Sequence, residues 1–168
     1  MAEPKTPANE NEISRDRLAE LLNEDLSREY QAIIAYVVYS QVLSGAQYMD
    51  IAAQLEIHAK QELDHALILA RQIDYLGKMP VVTPKAVRTS KNPKDMLRYD
   101  LDNENETIRN YRDRIRQCEI LGEFAMAEQI RQILVQEQDH QIDLATALGE
   151  EVPNVNSGPR ARKLSKGR

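Results

Sequence analysis

The chain has 168 residues, with 22 Lys and Arg against 27 Asp and Glu, and a net charge of -5. That is the length of one domain with a sizeable core, and its body has no general affinity for nucleic acid. One Cys excludes an internal disulfide framework and a Cys-based zinc or iron–sulfur site, and with no Trp and one Phe the core has to be mostly aliphatic. No apolar run approaches the ~18 residues of a membrane span, and the polar Met1–Pro7 start argues against a signal peptide, so a cytoplasmic protein without a membrane partner is expected.

Residues 1–13 are polar and contain Pro4 and Pro7, which reads as a mobile tail. A domain over residues 14–149 follows. Its first helix runs from about Ser14, a suitable N-cap, to Ser44, with the stripe Leu18, Leu22, Leu26, Ile33, Val37. The second runs from about Tyr48 to Leu76. The third starts at Pro93, behind Asn92 as cap, and runs to Leu121. The fourth spans about Glu123 to Leu148. Gly45, Gly77, Gly122 and Gly149 each follow one of these stretches, where a left-handed cap is wanted.

The connections set the topology. A few residues join the first helix to the second, and the third to the fourth, so each pair is an antiparallel hairpin. Residues 77–92 join the hairpins. A helix of ~28 residues is about 42 Å long, and sixteen extended residues reach roughly 53 Å. The linker can therefore span the full length, which predicts an all-α four-helix bundle of two antiparallel hairpins joined by one long crossover.

The informative residues are polar ones inside the apolar stripes. Glu29 lies in the first helix, Glu62 and His65 in the second, Glu104 in the third, and Glu137 and His140 in the fourth. Glu29 to Glu104, Glu62 to Glu137 and His65 to His140 are each 75 residues apart. The chain thus reads as two related hairpins, each supplying a Glu and a Glu-x-x-His. The i, i+3 spacing puts that Glu and His on one helix face. Four unpaired carboxylates in an aliphatic core would cost many kcal/mol, and two divalent ions would neutralise them. Two imidazoles and four carboxylates suit iron or manganese.

Those six positions, with Met96–Leu101 and Glu137–Asp143, resemble the ferritin-like superfamily, and within it bacterioferritin, over roughly residues 14–148. The resemblance implies that Glu29, Glu62, His65, Glu104, Glu137 and His140 bind two irons per chain, with Glu62 and Glu137 bridging. It implies a ferroxidase, oxidising Fe²⁺ with O₂ or H₂O₂ and storing or detoxifying the product. Tyr36, seven residues after Glu29, resembles the family's one-electron donor; Tyr111 stands seven after Glu104, and both also fit as core residues. The alternatives are a di-iron oxidase or peroxidase that stores nothing, and a DNA-binding miniferritin-like protein.

Departures from the family pattern shape the remaining expectations. Leu63 stands where bacterioferritin has its haem-ligating Met, so haem is not expected. No fifth helix is legible after Glu150, which leaves a homo-oligomer built from dimers, closed into a shell or smaller. His58, seven residues before His65, reads as an inter-helix histidine or a third iron site. Asp64 and Asp139 read as solvated or as partners of an imidazole. Cys118 reads as a small core residue. Residues 150–168 form a tail whose last nine, 160–168, hold five positive charges and no negative ones, able to contact DNA or another anionic partner.

Overall fold

The computed structural model describes residues 13–156. The expectations for the first residues of the N-terminal tail and for the basic segment 160–168 lie outside that range. Helix α1 is Arg15–Val42, α2 is Met49–Tyr75, α3 is Pro93–Ile120 and α4 is Phe124–Leu148. A 3₁₀ turn, Ala46–Tyr48, leads into α2. There is no strand among the described residues.

The helix ends follow local chemistry. The Ser14 hydroxyl accepts from the Arg17 amide at 3.1 Å, and the Asn92 side chain accepts from Lys94 N at 3.1 Å, with Pro93 opening α3. Each cap satisfies an amide that the first helical turn leaves without a partner. Gly149 ends α4 at φ 70°, ψ 35°, a left-handed position where a Cβ would be strained.

Helix α1 packs on α2, and α3 on α4, with further contacts between α1 and α3 and between α2 and α4. All four of these pairs are antiparallel. The crossover that makes this possible is laid along α1 by hydrogen bonds. Asn23 Nδ2 donates to Met79 O at 3.2 Å, Ser27 Oγ to Thr83 O at 2.7 Å and Gln31 Nε2 to Ala86 O at 2.6 Å, while the Tyr39 hydroxyl donates to Arg88 O. Between Asn23 and Tyr39, α1 rises by about 24 Å. Nine extended residues of crossover cover about 30 Å. The strap is therefore almost fully extended, and its carbonyls are received by one i, i+4 stripe of α1.

The core is two aliphatic plugs with a polar layer between them. One holds Leu18, Leu22, Leu26, Leu69, Ile73, Ile130 and Ile133; the other holds Tyr36, Leu55, Leu97, Leu101 and Leu144. The 75-residue offset maps one plug onto the other: Leu22 onto Leu97, Leu26 onto Leu101, Leu55 onto Ile130, Leu69 onto Leu144. The duplication visible in the polar residues extends through the packing. Cys118 is fully buried in the first plug, and burial pushes its thiol up to about 11. It is a packing residue.

Candidate metal centre

The polar layer brings all six predicted residues together. Glu29, Glu62, His65, Glu104, Glu137 and His140 are each 3% exposed or less. One ligand atom each from Glu29, Glu62, His65 and Glu137 lie within 4.8 Å of one another. The same holds for Glu62, Glu104, Glu137 and His140. The two groups share Glu62 and Glu137.

The shared residues divide their oxygens. His65 Nδ1 lies 2.9 Å from Glu62 Oε2, 3.2 Å from Glu137 Oε1 and 3.6 Å from Glu29 Oε2. His140 Nδ1 lies 3.0 Å from Glu62 Oε1, 3.3 Å from Glu137 Oε2 and 3.7 Å from Glu104 Oε1. Each of the two central carboxylates thus offers one oxygen to each half of the layer. Glu62 Oε1, both oxygens of Glu137 and His140 Nδ1 are buried without a hydrogen-bond partner. Orphaned acceptors at such depth are costly unless a cation fills the space they surround. The donor set, four carboxylates and two imidazoles around two shared edges, suits a pair of hard-to-borderline divalent ions.

The remaining imidazole nitrogens fix the ring orientation. His65 Nε2 is 2.6 Å from Gln136 Oε1, and His140 Nε2 is 2.8 Å from Gln61 Oε1. An amide oxygen can only accept, so each Nε2 carries the proton, and a neutral ring presents the Nδ1 lone pair to the layer. The sequence makes Asp64 and Asp139 candidates for this role. Both are exposed, because a residue adjacent to an inward-facing one points well off its face. Gln61 and Gln136 were missed, although they too are 75 residues apart.

Without metal, the layer balances its own charge. Burial and neighbouring carboxylates hold Glu29 and Glu104 well above the ordinary carboxylate range. For Glu62 and Glu137 burial works in the same direction, but the two imidazoliums beside them outweigh it and hold both low. His65 and His140 are buried, which favours the neutral ring, yet three carboxylates around each push their pKa values up. Two carboxylates and two imidazoliums sum to zero. Two divalent ions on four carboxylates and two neutral rings also sum to zero. Binding of two such ions would therefore exchange them for four protons.

The tyrosines repeat the symmetry. The Tyr36 hydroxyl donates to Glu104 Oε1, and the Tyr111 hydroxyl donates to Glu29 Oε1. Both rings are fully buried. Tyr36 also makes edge contacts with His58 and His140, at centroid separations of 5.3 Å and 5.9 Å.

Around this symmetric centre the neighbours differ. His58 Nε2 lies 3.0 Å from Asp143 Oδ2 on α4, and its ring stacks on His140 at 4.0 Å. Burial and the nearby His140 lower His58 to about 4, so it is neutral. The positions related to His58 and Asp143 by the offset are Ile133 and Ile68. Likewise Asp25 pairs with buried Arg114 at 2.6 Å, whereas the equivalent Asp100 has a buried Oδ2 with no partner, and Tyr39 stands where Arg114 would be. Arg114 is buried beside the first plug although a cation is ordinarily found outside, its long stem crossing apolar surface.

Comparison with known proteins agrees with this geometry. The family model described as a ferritin-like domain matches residues 19–151. The bacterioferritin of Brucella melitensis is 26% identical over 151 residues, covering 85% of this chain and 94% of its own. Among solved structures, a ferritin-like diiron-carboxylate protein from Bacillus anthracis has a TM-score of 0.77 and 32% identity, covering 80% of this chain and 96% of its own. A dodecameric thioferritin from Bacteroides fragilis, related to bacterioferritin, has a TM-score of 0.75 and 26% identity, covering 82% of this chain and 87% of its own.

Proposed function

The chain belongs to the ferritin-like family, and from that premise we propose that it is a ferroxidase that takes up Fe²⁺ as substrate and contributes to iron storage or detoxification. The observation that carries the reading is the pair of four-residue groups sharing Glu62 and Glu137. Glu29 with His65, and Glu104 with His140, would hold one ion each, and the central carboxylates would bridge them. Iron is favoured over manganese by the relatives, one of which is a diiron-carboxylate protein.

When bound, a pair of Fe²⁺ ions supplies two electrons to O₂ or H₂O₂. The chain's own residues do the rest. Gln61 and Gln136 orient the imidazoles and keep Nδ1 free for metal. The aliphatic plugs exclude bulk water on both sides. Tyr36, hydrogen-bonded to Glu104, is placed to supply a further electron, its proton passing to that carboxylate oxygen. The protein acts as a homo-oligomer. The support is an apolar outer face on α1 and α2, where Val37, Leu63 and Leu67 are 51%, 52% and 61% exposed.

The test is anaerobic Fe²⁺ titration of metal-free protein, followed by addition of oxidant. Saturation at two Fe²⁺ per chain and fast oxidation are expected, with continued uptake in a large particle if the product is stored. Tight binding unchanged in Glu62→Ala with His140→Ala refutes the reading.

A further inference from the structure

The ligand layer is closed differently on its two open sides. Towards α2 and α4 it is covered by the hydrogen-bonded Gln61 and Gln136 and by the His58 ring stacked on His140. Towards α1 and α3 a small cavity of about 10 Å³, enough for about one water, touches all four carboxylates. Its rim carries Arg28 from α1 and Asn103 from α3, which are equivalent under the 75-residue offset. The cavity therefore sits on the approximate twofold axis of the bundle, directly outside the shared edge of the two ligand groups.

One ion pair spans this opening. Arg28 Nη2 bonds Glu106 Oε1 across the α1–α3 groove at 2.6 Å, with side-chain exposures of 20% and 46%. The offset equivalent of Glu106 is Gln31, which is tied back to the crossover at Ala86 O. Arg28 is thus the only permanent cation on the cavity lining among the described residues. Its Nε is buried without an acceptor, an uncompensated cost that weakens the position it occupies.

We propose, resting on the ferroxidase reading above, that this opening is the route by which divalent cations enter, and that Arg28 is its gate. In the closed state the guanidinium blocks the opening and repels an incoming cation. When Arg28 swings outward, Glu106 is released and becomes the first carboxylate the cation meets, with Glu29 and Glu104 directly below. Arg28 does not bind the metal in its final position. It sets how fast metal arrives.

The test is stopped-flow binding of Co²⁺ to the metal-free full-length protein, read by its visible absorbance, with stoichiometry from equilibrium titration. R28A removes both the plug and the like charge, and is expected to bind two Co²⁺ per chain about tenfold faster. R28W refills the opening with a bulky ring, and is expected to bind more slowly than R28A. R109A removes the same charge from the exposed face of α3, and separates a general change in field from gating. R28A with two Co²⁺ per chain at the wild-type rate, or R109A matching R28A, overturns the gate and leaves the ferroxidase reading standing. Wild-type protein that binds no Co²⁺ or Fe²⁺ overturns both.

Discussion

Glu137 is fully buried, and neither of its oxygens has a hydrogen-bond partner. Without metal it is repelled by Glu62 and by its own desolvation, and is held only by two imidazoles at 3.2 and 3.3 Å. Replacing it with leucine removes the carboxylate at similar volume. His65 and His140 each keep Glu62, at 2.9 and 3.0 Å, and Glu29 or Glu104 can ionise in its place. Apolar replacement of buried ionic groups is often neutral or stabilising by 1–4 kcal/mol when, as here, no remaining charge is left without a partner. Taking about 2 kcal/mol, and 2–4 °C per kcal/mol for a chain of this size, E137L should melt roughly 4–8 °C above wild type in chelator. Metal reverses the order. At a hundred times Kd each bound ion adds about 2.7 kcal/mol to the wild type, so two ions add about 5 kcal/mol and roughly 10–20 °C. The variant lacks a bridge between both positions and should gain little. Calorimetric melting in EDTA and in excess Mn²⁺ reads both halves of the prediction. E137L melting below wild type in EDTA, or gaining as much from Mn²⁺, would show that the layer is not a metal site held open at the cost of stability.

Three further outcomes follow from the same geometry. Because Glu29, Glu104, His65 and His140 hold protons in the metal-free state, metal binding should release up to two protons per ion and tighten as pH rises through neutrality, which calorimetric titration in buffers of different ionisation enthalpy measures directly. Q61L or Q136L frees one imidazole to rotate and should weaken metal binding about 10–100-fold while leaving the helical content unchanged by circular dichroism. The Asp25–Arg114 pair should fail asymmetrically in chemical denaturation. D25L strands a buried guanidinium and should cost about 3–5 kcal/mol at any pH near neutral. In R114M the lone Asp25 can protonate. Its carboxyl is already raised to about 6 by burial with Arg114 present, and loses that opposing partner. A raised carboxyl pKa means the folded state binds the proton more tightly, so the stability of R114M should rise as pH falls from 8 towards 4.

Four helices, the crossover and the six polar residues in apolar stripes are all legible in the sequence, because each rests on a pattern that repeats: 3.6-residue periodicity, glycine and proline at the ends, and an offset that recurs three times. What was less legible lies one step out from the face. Gln61 and Gln136 stand beside ligands and read as ordinary helix surface, since a half-buried glutamine has no period of its own. Only the offset marks them. Arg114 was overlooked because a cation is counted as outside, whereas its stem reaches inward and its head meets Asp25. Asp143 as the partner of His58, and Glu106 as the partner of Arg28, depend on which helices neighbour each other across the bundle. No spacing within one helix reports that.

The 75-residue offset has a consequence for how alike the two halves of the polar layer can be. Two separate copies of one hairpin, associated about a twofold axis, would present the same four glutamates and two histidines. Such a pair would have to carry every substitution twice. The extended crossover, strapped to α1 through Asn23, Ser27 and Gln31, lifts that constraint by making the halves one chain. His58 and Asp143 can then stand against Ile133 and Ile68, and Arg114 against Tyr39. Matching residues thus sit in unlike surroundings, with a neutral imidazole stacked on His140 in one half and Ile133 at the related position of the other. A single covalent connection is what allows a symmetric layer of carboxylates and imidazoles to have two inequivalent halves.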